Sequence, residues 1–289
     1  MDSVLLFARI KFAVKLTTFY EKKQKREIER DALLQIINYD FNINYHLSKF
    51  NGKKGRVEWK FGGIKSSNDY IFGRLGKVKG HISNIIDSKS KDFIKNETKE
   101  ANVCNFLIDL KSHIIIYESK KNIGEKSPLR VIETAFNSFH RKAEKITIQP
   151  LTDRREIINR INDLEAITII KLNLHPTNPD STPSSDKMDA FINDLNADKV
   201  VLEITSDRGI SLEGAEGIIT SGLRLAEEGY GNARVTGRKK GSAEGEKLEI
   251  INSVHLPIRE TDTLPERDNQ IIQLFREKIA DILRIYKQL

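Results

Sequence analysis

The stretch from Asp198 to Pro257 constrains the fold of this chain more than any other segment, because its elements follow one another with little ambiguity. Val200 to Ile204 is a short β-branched run bounded by polar residues, which predicts a buried strand. The spacing of apolar residues then predicts a helix from Ser211 to Glu228. Two more strands are predicted from Asn232 to Thr236 and from Leu248 to Leu256. The unit therefore reads strand, helix, strand, strand, and points to a sheet with at least one covered face.

The loop that joins the last two predicted strands is rich in glycine and carries the cations Arg238, Lys239 and Lys240. A loop that cradles nucleotide phosphates normally leads from a strand into a helix, whose N-terminus holds the phosphate. This loop joins two strands, so nucleotide binding is not predicted. Flexible cations at a hairpin tip can instead neutralise the phosphates of a nucleic-acid backbone without a fixed pocket. A solvated turn that happens to be basic explains the loop equally well.

The first half of the chain is predicted to be a β-meander with one packing helix. Apolar alternation and turn residues predict strands at 5–17, 33–47, 57–61, 70–78, 103–110, 113–118 and 146–151. Asn51-Gly52 predicts a tight hairpin turn, since both residues accept positive φ angles. Ser127-Pro128 predicts the start of the packing helix. Residues 21–30 are expected to be a charged connector, and 81–101 a mobile loop or a marginal helix.

The second half is predicted to be a mixed α/β unit that ends in a long helix. Thr152 is the expected N-cap of its first helix. The sequence Thr263-Leu264-Pro265-Glu266 has the form of a capping box. It is expected to start a final helix that runs to about Gln288, with an apolar stripe wide enough to cover a sheet or to pair with a second subunit. The fold class expected for the whole chain is α+β.

The charge balance changes sign between the halves, which places a domain boundary near Pro150. Residues 1–150 contain 29 Lys and Arg against 17 Asp and Glu, whereas residues 151–289 contain 19 against 24. We therefore expect a basic β-rich domain over 1–150 and an α/β domain over 151–289. Such an asymmetry is typical of a chain in which one half binds nucleic acid or another polyanion, although lysines also serve simply to solubilise a small domain.

Composition excludes several other classes. Hydrophobic residues make up 38% and charged residues 31% of the 289 residues, as in globular proteins with room for two cores. No apolar run approaches the roughly 20 residues of a membrane span. Cys104 is the single cysteine, which excludes an internal disulfide and a cysteine-based metal site. Met1 to Leu16 alternates like a strand and lacks the cleavage site of a signal peptide. A cytoplasmic protein without a cofactor is the expectation.

The candidate nucleic-acid-binding residues are the cations of the predicted meander and of the basic loop. Trp59, Phe61, Tyr70 and Phe72 are interleaved with the meander cations, a pattern that can form a stacking platform for single strands. Because Trp59 and Phe61 share a face with Val57, core packing is expected for both. The cations are then expected to point outward. The set is Lys53, Lys54, Arg56, Lys60, Lys65, Arg74, Lys77, Lys79, Arg238, Lys239 and Lys240.

An enzymatic alternative is a restriction-type nuclease that uses Asp109, Glu118 and Lys120. Two carboxylates on neighbouring strands bind Mg²⁺ in such enzymes, and a lysine two residues after the second orients the attacking water. The Glu-x-Lys triplet recurs elsewhere in this chain, and a hairpin that turns at Lys111-Ser112 would hold Asp109 far from Glu118. The six histidines have no metal-ligand spacing. No Walker loop or Gly-x-Ser-x-Gly motif is present, so the sequence favours a non-catalytic protein.

In the order of its elements the chain resembles the phage-exclusion and anti-phage defence proteins of the RexA and KwaB type. The features that carry the resemblance are the hairpin from Asn105 to Glu118, the helix that leads into the strand from Ile146 to Leu151, the unit from Val200 to Leu256, and a closing helix. The resemblance implies a non-catalytic, homodimeric, DNA-binding protein that acts in anti-phage defence with a membrane-protein partner encoded nearby. It assigns no role to an individual residue.

The leading hypothesis is therefore binding of nucleic acid, expected to be double-stranded DNA, mainly through phosphate contacts. The metal-dependent nuclease is one alternative. The other is a protein-interaction module whose acidic second half is the binding face.

Overall fold

The computed structural model describes residues 2–12, 22–37, 45–46, 56–86, 93–139, 145–177, 187–212, 217–241 and 248–287. They form two β-sheets with helices packed on them, so the α+β class expected from the sequence is confirmed. The helices are α1 (Lys22–Ile37), α2 (Ser127–Phe139), α3 (Arg154–Asn162), α4 (Lys187–Asp194), α5 (Ile218–Glu227) and α6 (Asp268–Lys287).

The first sheet has eight strands in the order β12-β1-β6-β5-β4-β3-β2, and β7 also pairs with β1. All of its pairings are antiparallel. Its strands are β1 (Asp2–Phe12), β2 (Tyr45–His46), β3 (Arg56–Ser66), β4 (Tyr70–Ile86), β5 (Phe93–Asp109), β6 (Ile114–Ser119), β7 (Ile146–Pro150) and β12 (Arg259–Thr263).

Both faces of this sheet are covered, because its strands are apolar on both sides. In β1, Leu6 and Ile10 pack with α1 and α2 on one face, whereas Leu5 and Phe7 pack with α6 on the other. The face that α1 and α2 cover holds Trp59, whose side chain is buried as expected. The long final helix covers the opposite face of the sheet, which was one of the two roles that its apolar stripe predicts.

The outer edge of β1 is shared by two strands that come from distant parts of the chain. β12 pairs with residues Asp2 to Leu6, and β7 pairs with residues Ala8 to Phe12. The sequence places residues 151–289 in a second domain, but β12 and α6 return from that half and complete the first sheet. The charge balance did not reveal that β12 pairs with β1, because pairing between residues more than 250 positions apart leaves no local pattern in the sequence.

The second sheet has four antiparallel strands in the order β11-β10-β8-β9. Helices α3, α4 and α5 cover one of its faces, where Ile157, Met188 and Leu225 join the core. The run at Val200, expected to be buried, is an edge strand in which alternate residues are exposed. Its strands are β8 (Leu164–Leu174), β9 (Val200–Thr205), β10 (Gly231–Lys239) and β11 (Glu249–Asn252), the last followed by a 3-10 helix at Ser253–His255.

Several local predictions are wrong. The predicted capping box does not start the final helix, because Thr263 ends β12 and α6 begins at Asp268. Residues 22–37 form α1, in which Leu33, Ile36 and Ile37 are buried on one side, so the predicted connector and the start of the predicted strand at 33–47 are helical. Residues 93–101 and 81–86 are strand rather than loop or helix. The N-cap of α3 is Asp153, whose carboxylate accepts hydrogen bonds from the backbone of Arg155 and Glu156; Thr152 instead forms a bridge with Pro257.

Among the described residues, no helix combines the length and the apolar character that crossing a membrane requires.

Candidate nucleic-acid interface

The described cations of the predicted meander lie on β3 and β4, beside the far edge of the first sheet. The antiparallel register sets Lys60 opposite Gly76, and Arg74 opposite Gly62. Lys77 lies opposite Trp59, so it shares the face that α1 and α2 cover. Because directly opposed residues share a face, the cations are distributed over both faces of this edge. We call the set Lys60, Lys65, Arg74 and Lys77 the sheet-edge cations.

Two sheet-edge cations share one carboxylate at the start of α6. The ammonium of Lys65 lies 3.0 Å from Asp268, and the guanidinium of Arg74 contacts the other oxygen of the same side chain. The hydrogen bond from Lys65, together with the nearby charge of Arg74, holds the pKa of Asp268 below its usual value. Two positive charges therefore face one negative charge, which leaves a surplus of one unit at this place.

The other two sheet-edge cations have contacts of different kinds. Lys60 lies 3.5 Å from the carboxylate of Glu58. Lys77 donates a hydrogen bond to the backbone carbonyl of Asn122 at 3.2 Å, and its ammonium lies 5.8 Å from the centre of the Trp59 ring. A cation over an aromatic face keeps its full charge. Lys77 thus lies over the buried ring of Trp59.

A two-stranded ribbon extends from the same edge. β4 and β5 pair continuously from Tyr70 with Asp109 to Ile86 with Phe93. β3 pairs with β4 only as far as Val78, and no other described strand pairs with residues 79–86 or 93–100. At roughly 3.4 Å per residue, the unaccompanied part is about 27 Å long. The sequence did not predict this ribbon, because its apolar residues do not alternate regularly.

The cations of the basic loop lie at one end of the second sheet. Arg238 and Lys239 end β10, where Lys239 pairs with Leu164. The backbone of Lys240 donates to the carbonyl of Asp163 at 3.0 Å, which fixes the start of the loop. All three side chains are exposed, and within the described part of the chain none of them forms an ion pair.

The remaining predicted cations are less fully described. Lys53 and Lys54 lie outside the described residues. Arg56 lies in β3 and Lys79 in β4, both close to the base of the ribbon in the backbone register. Sequence reasoning did not select Arg234, an exposed residue of β10 on the face of the second sheet that the helices leave open. Its alternation with the buried residues Ala233 and Val235 is the signal that would have identified it.

The candidate nuclease residues do not converge. Asp109 ends β5 and accepts hydrogen bonds from the backbone and hydroxyl of Ser112 at 2.7 and 2.6 Å, so it stabilises the hairpin turn. Glu118 lies four residue pairs away at the other end of the hairpin, roughly 13 Å along the strand. The structure thus brings Lys120 to Glu118, at 3.2 Å, but not Asp109.

Glu118 is the centre of a hydrogen-bonded cluster. Its carboxylate is almost fully buried and accepts hydrogen bonds from the hydroxyl of Ser3 at 2.8 Å and from the side-chain amide of Asn105 at 3.2 Å. A buried charge requires such partners. With both oxygens already bonded, Glu118 links β1, β5 and β6 rather than offering a free carboxylate.

The described residues contain no group of three or more His, Cys, Asp or Glu side chains that could hold a metal ion. His113 is a buried histidine with partners of its own. Its ring lies 2.8 Å from the carboxylate of Glu29 and packs edge-on against Phe12.

Two buried cations of β1 face the second sheet. Arg9 donates to the backbone carbonyl of Glu228 at 2.6 Å and to the hydroxyl of Tyr230 at 2.9 Å. Burial lowers the pKa of Lys11 to about 8, although the carboxylates of Asp198 and Asp189 oppose this shift. These contacts join the two sheets across a polar boundary.

The fold defines an α+β protein in which an eight-stranded and a four-stranded antiparallel sheet are joined by the return of the C-terminal segment. A family model described as a domain of unknown function, DUF4747, matches residues 11–280. The match covers most of the chain, and the protein belongs to this family. The search of curated proteins found no match to this chain.

Proposed function

We propose that this protein binds nucleic acid, with double-stranded DNA as the preferred form, mainly through phosphate contacts. The observation that carries the proposal is the position of the ribbon. It rises from the sheet edge that bears Lys60, Lys65, Arg74 and Lys77, and a two-stranded β-ribbon has the dimensions to enter the major groove. Cations at its base would then lie beside the phosphates that flank the groove.

The charge distribution also supports phosphate contact rather than base readout as the main source of affinity. Residues 79–100 carry five Lys against four Asp and Glu, so the ribbon itself is nearly neutral. The positive charge lies on the sheet edge, with Lys60 and Lys77 next to the base of the ribbon and Arg74 and Lys65 further along the strands. Arg238, Lys239 and Lys240 add three more positive charges. Part of the positive charge is already compensated by Glu58 and Asp268. We therefore expect about four or five phosphate contacts and a slope of log K against log salt on the order of −4.

Fluorescence anisotropy with a labelled 24-base-pair duplex in a salt series tests the proposal. The triple variant Arg238→Gln, Lys239→Gln, Lys240→Gln should weaken binding and reduce the magnitude of the slope by two to three. A control with the same change in charge, Lys187→Gln, Lys199→Gln, Arg208→Gln, should keep the wild-type slope. Retention of DNA that does not change between low and high salt would contradict the mechanism. Single-stranded DNA and RNA of equal length establish which form is preferred.

A role in anti-phage defence, a homodimeric state and a membrane-protein partner are proposed on the resemblance in element order alone.

A further inference from the structure

A cleft of about 190 Å³ opens where the two halves of the chain meet at the outer edge of β1. At this place the neighbour of β1 changes. Leu6 is the last residue paired with β12, and Ala8 is the first paired with β7. The change of partner leaves a gap between two strands that do not continue each other. Clefts at such boundaries are a common position for ligand sites.

The floor of the cleft is a row of three side chains across three strands. The register sets Leu6 directly opposite both Tyr117 in β6 and Arg259 in β12, so all three lie on the same face of the sheet. Pro150 and Pro257 line the sides. Leu6 and the ring of Tyr117 give the floor an apolar part, and Arg259 adds a charged group at one end of the row.

The rim of the cleft is polar and carries surplus positive charge. Lys126 and His255 are exposed there. Glu125 holds Arg259 through two parallel hydrogen bonds of 2.5 and 2.9 Å, which fixes the plane of the guanidinium. Lys126 and Arg259 against Glu125 leave one positive unit. The rim suits an anionic group.

Tyr117 supplies the most specific feature of the cleft. Its side chain is 2% exposed, and no described residue forms a hydrogen bond with its hydroxyl. Buried tyrosines normally have such a partner. Burial, reinforced by the carboxylate of Glu125, raises the pKa of Tyr117, so the phenol keeps its proton and can donate a hydrogen bond. A ligand acceptor in the cleft would supply that partner.

The wall contributed by the second half is held in place by hydrogen bonds around Ser253. Its hydroxyl accepts from the backbone of Ala233 at 3.0 Å, and its carbonyl accepts from the hydroxyl of Thr152 at 3.3 Å. Asn252 caps the same 3-10 helix by accepting from the backbone of Val254. The cleft is thus preformed, and a ligand would lose little affinity to ordering of the protein.

We propose that this cleft binds a small organic anion built on a single ring, such as an aromatic carboxylate. The ring lies over Leu6 between the two prolines, and the anionic group contacts Lys126, Arg259 and the hydroxyl of Tyr117. The size supports this class, since a cavity of roughly 150 Å³ accommodates benzene. The proposal does not depend on nucleic-acid binding, and its test contains no nucleic acid.

Isothermal titration calorimetry with three probes tests the proposal. Benzoate should bind the full-length protein with a Kd between roughly 10 µM and 1 mM, the range set by its few heavy atoms. Benzamide, which has the ring without the charge, and inorganic phosphate, which has the charge without the ring, should each bind roughly tenfold more weakly or worse. Equal affinity for benzoate and either of these probes would overturn the assignment, as would no binding of benzoate.

Variants locate the site. Tyr117→Phe removes only the hydroxyl and retains the buried ring, and Lys126→Met removes an exposed charge, so neither should disturb the fold. Each should weaken benzoate binding by roughly fivefold to tenfold, the effect of one hydrogen bond or ion contact to a charged group. Lys121→Met, an exposed lysine outside the cleft lining, is the matched control and should bind benzoate like the wild type. Unchanged affinity in both Tyr117→Phe and Lys126→Met would contradict the proposal.

Discussion

The guanidinium of Arg9 lies 4.7 Å from the centre of the Tyr230 ring and donates a hydrogen bond to its hydroxyl at 2.9 Å. Arg9 lies in β1 of the first sheet and Tyr230 immediately precedes β10 of the second, so this contact joins the two sheets. The backbone carbonyl of Glu228 accepts a further bond from the same guanidinium. The two hydrophobic cores thus meet at the buried Arg9, whose charge is stabilised by hydrogen bonds to uncharged oxygen atoms.

Replacement of this cation should destabilise the whole protein. Arg9→Met removes the donor from which the backbone carbonyl of Glu228 and the buried hydroxyl of Tyr230 accept hydrogen bonds. The expected loss is about 2–4 kcal/mol in the free energy of unfolding, because unsatisfied buried acceptors retain their desolvation cost. Urea denaturation followed by circular dichroism measures it. Arg208→Met, at an exposed position, is the control, and equal stability of the two variants would contradict a linking role for Arg9.

Replacement of Lys11 should instead stabilise the protein, because burial of its charge costs free energy of folding. Its pKa falls from 10.5 to about 8 in the folded protein. Between these values only the unfolded state holds the proton, so stability should rise with pH from about 8 to 10.5 and be flat below. Lys11→Met should raise stability at pH 7 by up to about 3 kcal/mol and remove that rise. Denaturation curves at several pH values, with Lys145→Met as control, check this. A variant less stable than the wild type at pH 7 would contradict it.

The cluster around Glu118 should be structural rather than catalytic. Glu118→Gln replaces one acceptor oxygen by a donor, which leaves Ser3, Asn105 or Lys120 without its partner. We expect a loss of about 1–3 kcal/mol in the free energy of unfolding, compared with Glu165→Gln at an exposed site of β8. Incubation of supercoiled plasmid with Mg²⁺ provides a second readout. Cleavage that the wild type performs and Glu118→Gln loses would overturn the structural interpretation.

The carboxylate of Asp268 should restrain the proposed DNA binding, since it compensates Lys65 and Arg74. Asp268→Asn should tighten binding to the duplex a fewfold and make the salt slope steeper by about one. Asp281→Asn, at a more exposed position of α6 that pairs with Arg284, is the control. The low pKa of Asp268 gives its ion pairs a stabilising effect that is present above the usual aspartate pKa and lost as pH falls through the folded value. Weaker binding by Asp268→Asn would contradict a phosphate-binding role for the two cations.

Local signals were sufficient for much of the fold. Ser127-Pro128 predicted the start of α2, and two apolar runs about Lys111-Ser112 predicted the β5–β6 hairpin. The apolar stripe of α6 predicted that the helix covers a sheet or pairs with a second subunit, and the structure shows that it covers a sheet. These elements were readable because each is specified by residues within a few positions of one another.

Long-range relationships account for what the sequence did not reveal. The register of β12 against β1 joins Asp2 to Thr263, and no periodicity in either segment encodes that choice. The ribbon was missed because the apolar residues of 79–86 and 93–100 do not alternate regularly in the sequence. For the candidate interface, composition identified the cations, but the counter-ion of Arg74 lies 194 positions further along the chain. The number of positive charges that remain available to a ligand could therefore be counted only from the structure.

Shortening the ribbon should separate DNA binding from the folding of the first sheet. Replacement of residues 79–100 by Asn-Gly, a sequence that favours a two-residue hairpin turn, joins Val78 to Ala101, which already face each other. The first sheet should remain folded, with an unchanged unfolding transition, because no other described strand pairs with the deleted residues. Anisotropy with the 24-base-pair duplex should then give a Kd at least tenfold higher than that of the full-length protein. A folded, shortened protein that binds the duplex as tightly as the full-length chain would contradict the proposal.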